Sequence, residues 1–113
     1  MLKESFDVVG VASDGRAALE TTLRLKPDLV VLDISMPGLS GIEVARVLKK
    51  SGLSTKIVFL TVHEDRIILE ACHAAGGLGY VIKVLMETDL IPAMKEALAG
   101  RSFTSSFPNE SIG

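Results

Sequence analysis

The stretch Leu29-Val30-Val31-Leu32-Asp33-Ile34-Ser35-Met36-Pro37-Gly38 decides how this chain folds. Four bulky aliphatics in a row, bounded by turn chemistry, describe a strand buried on both faces, because a strand with one wet face would alternate. Asp33 ends the run. A carboxylate at the carboxyl end of such a strand stands where open α/β sheets place their ligand crevice. Pro37 and Gly38 then enforce a loop in place of an immediate helix. Two further runs repeat the design: Ile57-Val58-Phe59-Leu60 ends at Thr61, and Gly79-Tyr80-Val81-Ile82 ends at Lys83. If the three strands are parallel neighbours, a carboxylate, a hydroxyl and an ammonium converge on one crevice.

Helical segments separate these runs. Val8 to Ala12 reads as a first strand, and Ser13 or Asp14 can cap a helix through about Leu25. Pro27 stops that helix. Ser40 caps a second helix from Gly41 to about Lys50, with Lys49, Lys50 and Gly52 suited to its end. Glu64 to Ala75 forms a third, closed by Gly76-Gly77. Proline is tolerated only in a first helical turn, so Pro92 predicts a last helix capped late, at Thr88 or Asp89, and running to Leu98. Residues 102–113, rich in Ser, Asn, Pro and Gly, read as a linker or tail after a domain over 1–101. Alternation of strand and helix implies a parallel sheet with helices on both faces, an α/β fold.

Bulk properties exclude several classes. A chain of 113 residues supports one small core, and 48% hydrophobic with 23% charged residues describes a globular protein. A net charge of −2 offers no general attraction to nucleic acid. No apolar run approaches the length that spans a bilayer, and the N-terminus lacks a signal-peptide pattern. The single cysteine, Cys72, has no internal partner, which fits a reducing cytoplasm, and its place in a helix reads as core. His63 and His73 read as a helix-start and an interface residue ahead of a metal or pH sensor.

Asp33 with Met36-Pro37-Gly38, Thr61, and Lys83 with Tyr80 three positions before it resemble the response-regulator receiver domain of two-component signalling. Val8-Val9-Gly10-Val11-Ala12-Ser13-Asp14-Gly15 is similar to the NarL/FixJ-type subgroup, whose receivers precede a helix-turn-helix output domain. The likeness runs from about Phe6 to about Arg101. It implies a flavodoxin-like, doubly wound parallel sheet. The family's domain opens with one more strand, central in the sheet and ending in an acidic pair, and a helix. Nothing between Met1 and Phe6 supplies them. The expectation is therefore an N-terminally truncated version with about four strands and four helices.

The resemblance also implies roles. Asp33 is the phosphoacceptor, Lys83 the partner of the phosphoryl oxygens, Thr61 the hydroxyl that moves to the acyl phosphate, and Tyr80 the aromatic residue that swings inward behind it. An aspartate carboxylate is ionised at neutral pH and needs no general base; the obstacle is repulsion by an anionic donor, which a divalent cation and a lysine relieve. Mg²⁺ wants an octahedron of hard oxygens. Asp33 and the Ser35 backbone carbonyl would be two ligands, the other acidic ones are missing, and Mg²⁺ binding is expected to be weak or absent. Singly, Asp33, Thr61 and Lys83 read as a strand end, a helix cap and a solvated lysine; their ordered placement favours the receiver. A histidine kinase is the expected phosphodonor and a DNA-binding output domain the expected recipient. The chain itself is expected neither to bind DNA nor to be an enzyme. The rival reading is a degenerate receiver, acting as an interaction or dimerisation module without phosphorylation. A flavin or nucleotide binder lacks a glycine-rich phosphate loop here. Loss of a central strand leaves backbone groups to satisfy. The first strand could close directly onto Asp28–Asp33 or pair with a second copy, or a second sheet could be recruited; a homo-oligomer is expected.

Overall fold

The computed structural model describes residues 7–9 and 14–106. The elements are β1 (Val8–Val9), α1 (Gly15–Leu25), β2 (Leu29–Asp33), α2 (Gly41–Ser51), β3 (Lys56–Thr61), α3 (Arg66–Ala74), β4 (Gly79–Ile82), a single 3₁₀ turn (Lys83–Leu85), α4 (Met86–Leu98) and β5 (Phe103–Thr104). All strands are parallel and lie in the order β1-β2-β3-β4-β5. The expected first strand ran to Ala12; residues 10–13 lie outside the described residues.

Helices α1, α2 and α3 each start for a local reason. Asp14 accepts the Ala17 N–H at 2.7 Å and opens α1. At α2, Ser40 and Glu43 exchange side-chain-to-backbone bonds in a capping box, and Gly52 closes the helix at φ 80°. Asp65 caps α3 through the amides of Ile67 and Ile68, so the helix starts at Arg66, two residues later than the expected Glu64.

The pleat divides the core. Val30, Leu32, Ile57, Phe59, Tyr80 and Ile82 face α1, α2 and α3. Leu29, Val31, Val58, Leu60 and Val81 face Ala93 and Ala97 of α4. Both faces of the central strands are dry, which is why their sequences do not alternate. Alanines on α4 let its backbone approach the sheet closely.

Two expectations change, and one of three open alternatives is selected. Helix α4 begins at Met86, not at a Thr88 or Asp89 cap, and Pro92 lies inside it. The residues read as caps have other partners: the Thr88 hydroxyl donates to the Leu85 carbonyl, and the Asp89 carboxylate accepts from Ser105. Pro92 faces solvent, while Ala93 and Ala97 bury the opposite side and hold the helix despite the missing N–H. Secondly, residues 102–113 are not simply a tail, because Phe103–Thr104 add a fifth strand beside β4. The packed unit therefore continues past Arg101 to Ser105, which is 3% exposed. Thirdly, β1 pairs directly with β2, Val8 opposite Leu29 and Val9 opposite Val30. Of the three ways to satisfy the edge of β2, the structure takes intramolecular closure. The Asp28 and Leu29 amides reinforce it by donating to the Asp7 carbonyl at 2.9 and 3.2 Å.

Candidate functional site

Parallel register brings three strand ends level. Asp33 stands opposite Leu60, and Thr61 opposite Ile82, the residue before Lys83. Asp33 and Lys83 share the pleat parity of the α4 face, and their side chains meet: Lys83 Nζ lies 2.5 Å from Asp33 Oδ2. The carboxylate side chain is 14% exposed and the ammonium side chain 38%, so the pair lies at the mouth of the sheet. Asp33 Oδ1 accepts the Ser35 N–H at 3.0 Å, an Asx-turn that starts the loop.

That loop is seated by two glycines. The Gly41 N–H donates to the Ile34 carbonyl at 3.1 Å, and a Cβ at Gly41 would lie 2.4 Å from the Asp33 carbonyl oxygen. The Gly15 N–H donates to the Pro37 carbonyl, and a Cβ there would lie 1.8 Å from the Leu39 carbonyl oxygen. Any side chain at either position would push a helix N-terminus off the loop that carries Ser35.

Thr61 and Tyr80 occupy the opposite parity. Thr61 is 1% exposed, and its hydroxyl accepts the His63 N–H at 2.9 Å. Tyr80 is fully buried, and its hydroxyl donates to the His63 carbonyl at 3.0 Å. Burial pushes the Tyr80 phenol up to about 12, helped by the Cys72 thiol and the Asp65 and Glu64 carboxylates, with the Thr61 hydroxyl acting the other way. Asp33 and Lys83 are in direct contact, while the Thr61 hydroxyl at the neighbouring strand end is held by the His63 amide. The backbone of His63, which ties Thr61 to Tyr80, was not anticipated. The signal was present, since a Thr at a strand end followed by a loop can accept the amide two residues on.

Parallel strands ending in a carboxylate and a lysine, with a threonine and a buried tyrosine beside them, define a signalling receiver. The family model of the response regulator receiver domain matches residues 1–95. The transcriptional regulatory protein PdtaR of Mycobacterium tuberculosis is 36% identical over 97 residues, 86% of this chain and 47% of its own length. The nitrate/nitrite response regulator protein NarL of Escherichia coli is 37% identical over 100 residues, 87% of this chain and 45% of its own. Among solved structures, the signal receiver domain of a NarL response regulator from Mycobacterium tuberculosis superimposes with a TM-score of 0.81 at 24% identity, over 88% of this chain and 100% of that one. This chain belongs to the response regulator receiver domain family of two-component signalling. It spans about half the length of the curated relatives it matches. Receiver domains signal instead of catalysing, interact with histidine kinases and often dimerise. No helix among the described residues is long and apolar enough to cross a membrane.

Receiver domains generally bind Mg²⁺ at the phosphorylation site. Among the described residues, Asp33 is the carboxylate this site offers to such an ion. Among the described residues no group of three or more His, Cys, Asp or Glu is placed to hold a metal. Asp33 is one carboxylate, and its two oxygens already accept from Lys83 and Ser35.

Proposed function

We propose that Asp33 accepts a phosphoryl group from a histidine kinase, and that Thr61, Lys83 and Tyr80 read its arrival. The contact of Lys83 Nζ with Asp33 Oδ2 at 2.5 Å carries this reading. An Asp33 oxygen attacks phosphorus, an acyl-phosphate P–O bond forms, and the P–N bond to the donor imidazole breaks. The departing imidazole takes its proton from water. Lys83 stays within reach of the new phosphoryl oxygens and offsets their charge. Thr61 then exchanges the His63 amide for the phosphate, and Tyr80 holds the space behind it. In the intact parent the recipient is a DNA-binding output domain; this chain contacts no nucleic acid itself. A cytoplasmic setting follows from a kinase partner and agrees with the buried, unpaired Cys72. Divalent metal, if bound, uses Asp33 and the Ser35 carbonyl, and weakly.

The test is intact mass after incubation with acetyl phosphate. The chain gains one phosphoryl group and Asp33→Asn gains none; an undiminished gain in the variant sinks the assignment. The second reading is a phosphorylation-independent interaction module. Under it, the unaltered chain shows no gain and retains binding to its partners.

A further inference from the structure

Ser105 is buried, and its hydroxyl is engaged on both sides of the segment that carries Lys83. Its Oγ accepts the Ile82 N–H at 3.2 Å and donates to Asp89 Oδ2 at 2.7 Å. Ile82 ends β4 and Asp89 lies near the start of α4. Between them runs the 3₁₀ turn that begins with Lys83. One hydroxyl therefore ties both flanks of the segment carrying the ammonium that pairs with Asp33. The Ser105 amide donates to the Tyr80 carbonyl at 2.9 Å, so the tie is built into the ladder of β4 and β5. Thr88 secures the same segment from within, donating to the Leu85 carbonyl at 3.1 Å. Ile82 is 1% exposed, and without Ser105 its N–H would be a buried donor with no acceptor.

We propose that Ser105 is a positioning residue for Lys83, and that β5 thereby makes the chain leaving α4 part of the support of the Asp33 site. The functional half of this inference rests on the reading of Asp33 as phosphoacceptor. A fixed backbone on both sides of Lys83 restricts where its Nζ can stand, and misplacing a reacting group by about 1 Å can cost up to ~100-fold in rate. Coupling runs both ways: a change in the Asp33–Lys83 pair alters the strain on β5, and tension on the chain after Ser105 alters the pair.

The experiment compares the 113-residue chain with Ser105→Ala, Ser105→Thr and Asp89→Ala. Three quantities are followed by NMR and mass spectrometry: the Ile82 amide exchange rate, the Lys83 Nζ resonance, and the rate of acyl-phosphate formation from acetyl phosphate. Ser105→Ala should speed Ile82 exchange by about tenfold, the size of one lost hydrogen bond. It should also shift the Lys83 Nζ resonance and slow phosphoryl acceptance by about tenfold. Ser105→Thr, which keeps the hydroxyl, should restore all three. A folded Ser105→Ala protein with an unmoved Lys83 resonance and an unchanged rate overturns the proposal. Equal effects of Ala and Thr overturn it too, since side-chain size would then be the cause. If Ser105→Ala does not fold, Asp89→Ala decides, because it cuts only one of the two ties; an unmoved Lys83 resonance in that variant is the overturning result. If the unaltered chain takes no phosphoryl group, the acceptor reading fails by itself, and the Lys83 resonance still decides the positioning role.

Discussion

Asp33 and Thr61 meet the same local requirement in the same way. Each ends a buried strand and accepts, on its side-chain oxygen, the amide two residues further on. The turn is started by the functional side chain itself, so its oxygen is held at the strand end before any ligand arrives. Tyr80 adds a titration that can be measured. Its phenol ordinarily loses its proton near 10, and burial raises this to about 12. In that window the folded chain keeps a proton that the unfolded chain has lost. Stability from this group is therefore complete below about pH 10 and is lost as pH rises toward 12. Denaturant melts between pH 9 and 11.5 should fall more steeply for the unaltered chain than for Tyr80→Phe; parallel curves would refute the assignment. A second prediction concerns the cation. With one carboxylate at the site among the described residues and Lys83 already on it, Mg²⁺ titration followed by calorimetry should not saturate below about 1 mM, weak beside sites with several carboxylates. Saturation at lower concentration, abolished by Asp33→Asn, would mean another group completes the octahedron.

At the scale of elements, the helices that obey local rules are those the sequence announces. Ser40 with Glu43 and Gly52 are terminus signals independent of the rest of the fold, and α2 begins and ends on them. Ser40→Ala removes one bond of the capping box, and chemical denaturation should report a loss of about 0.5–2 kcal/mol. No loss would mean that α2 is held entirely by Val44, Ala45 and Leu48 packed on the sheet. Helix α4 is the opposite case. Neither end signal nor proline rule predicts its start, because Thr88 and Asp89 spend their side chains on Leu85 and Ser105. Its position is set by the alanine face against β3 and β4, whose burial outweighs the ~3 kcal/mol that an interior proline costs. Strand β5 escaped notice for a related reason. Two residues among serines carry no periodicity, and only the adjacent edge of β4 makes Phe103 and Thr104 a strand.

For the whole molecule, the question is how β2 satisfies its edge. Closure by β1 answers it with two residue pairs, reinforced by the Asp7 carbonyl. Val8 is 41% exposed at the rim of the sheet. On the α4 face, a single helix covers the core and Ile91 is 62% exposed. Edge strands and bare apolar residues invite a second copy, and a symmetric pair covers the same surface twice. We expect sedimentation equilibrium at micromolar concentration to find a homodimer or higher oligomer. A stable, folded monomer at that concentration refutes this and shows that direct closure of β1 is enough.

What the sequence determined alone is what depends on near neighbours in the chain. The continuous apolar runs announced β2, β3 and β4 because a strand dry on both faces cannot alternate. Their terminal residues named Asp33, Thr61 and Lys83, since a strand end is legible wherever a polar residue interrupts such a run. Tertiary structure alone decided which of these groups touch. Pleat parity put Asp33 with Lys83 and turned Thr61 toward Tyr80, a distinction that depends on register between strands more than twenty residues apart in sequence. It also decided that β1 closes on β2 and that Ser105 reaches the flanks of Lys83. Those contacts join residues whose local sequence gives no sign of the partner, and only the assembled sheet brings them within hydrogen-bonding distance.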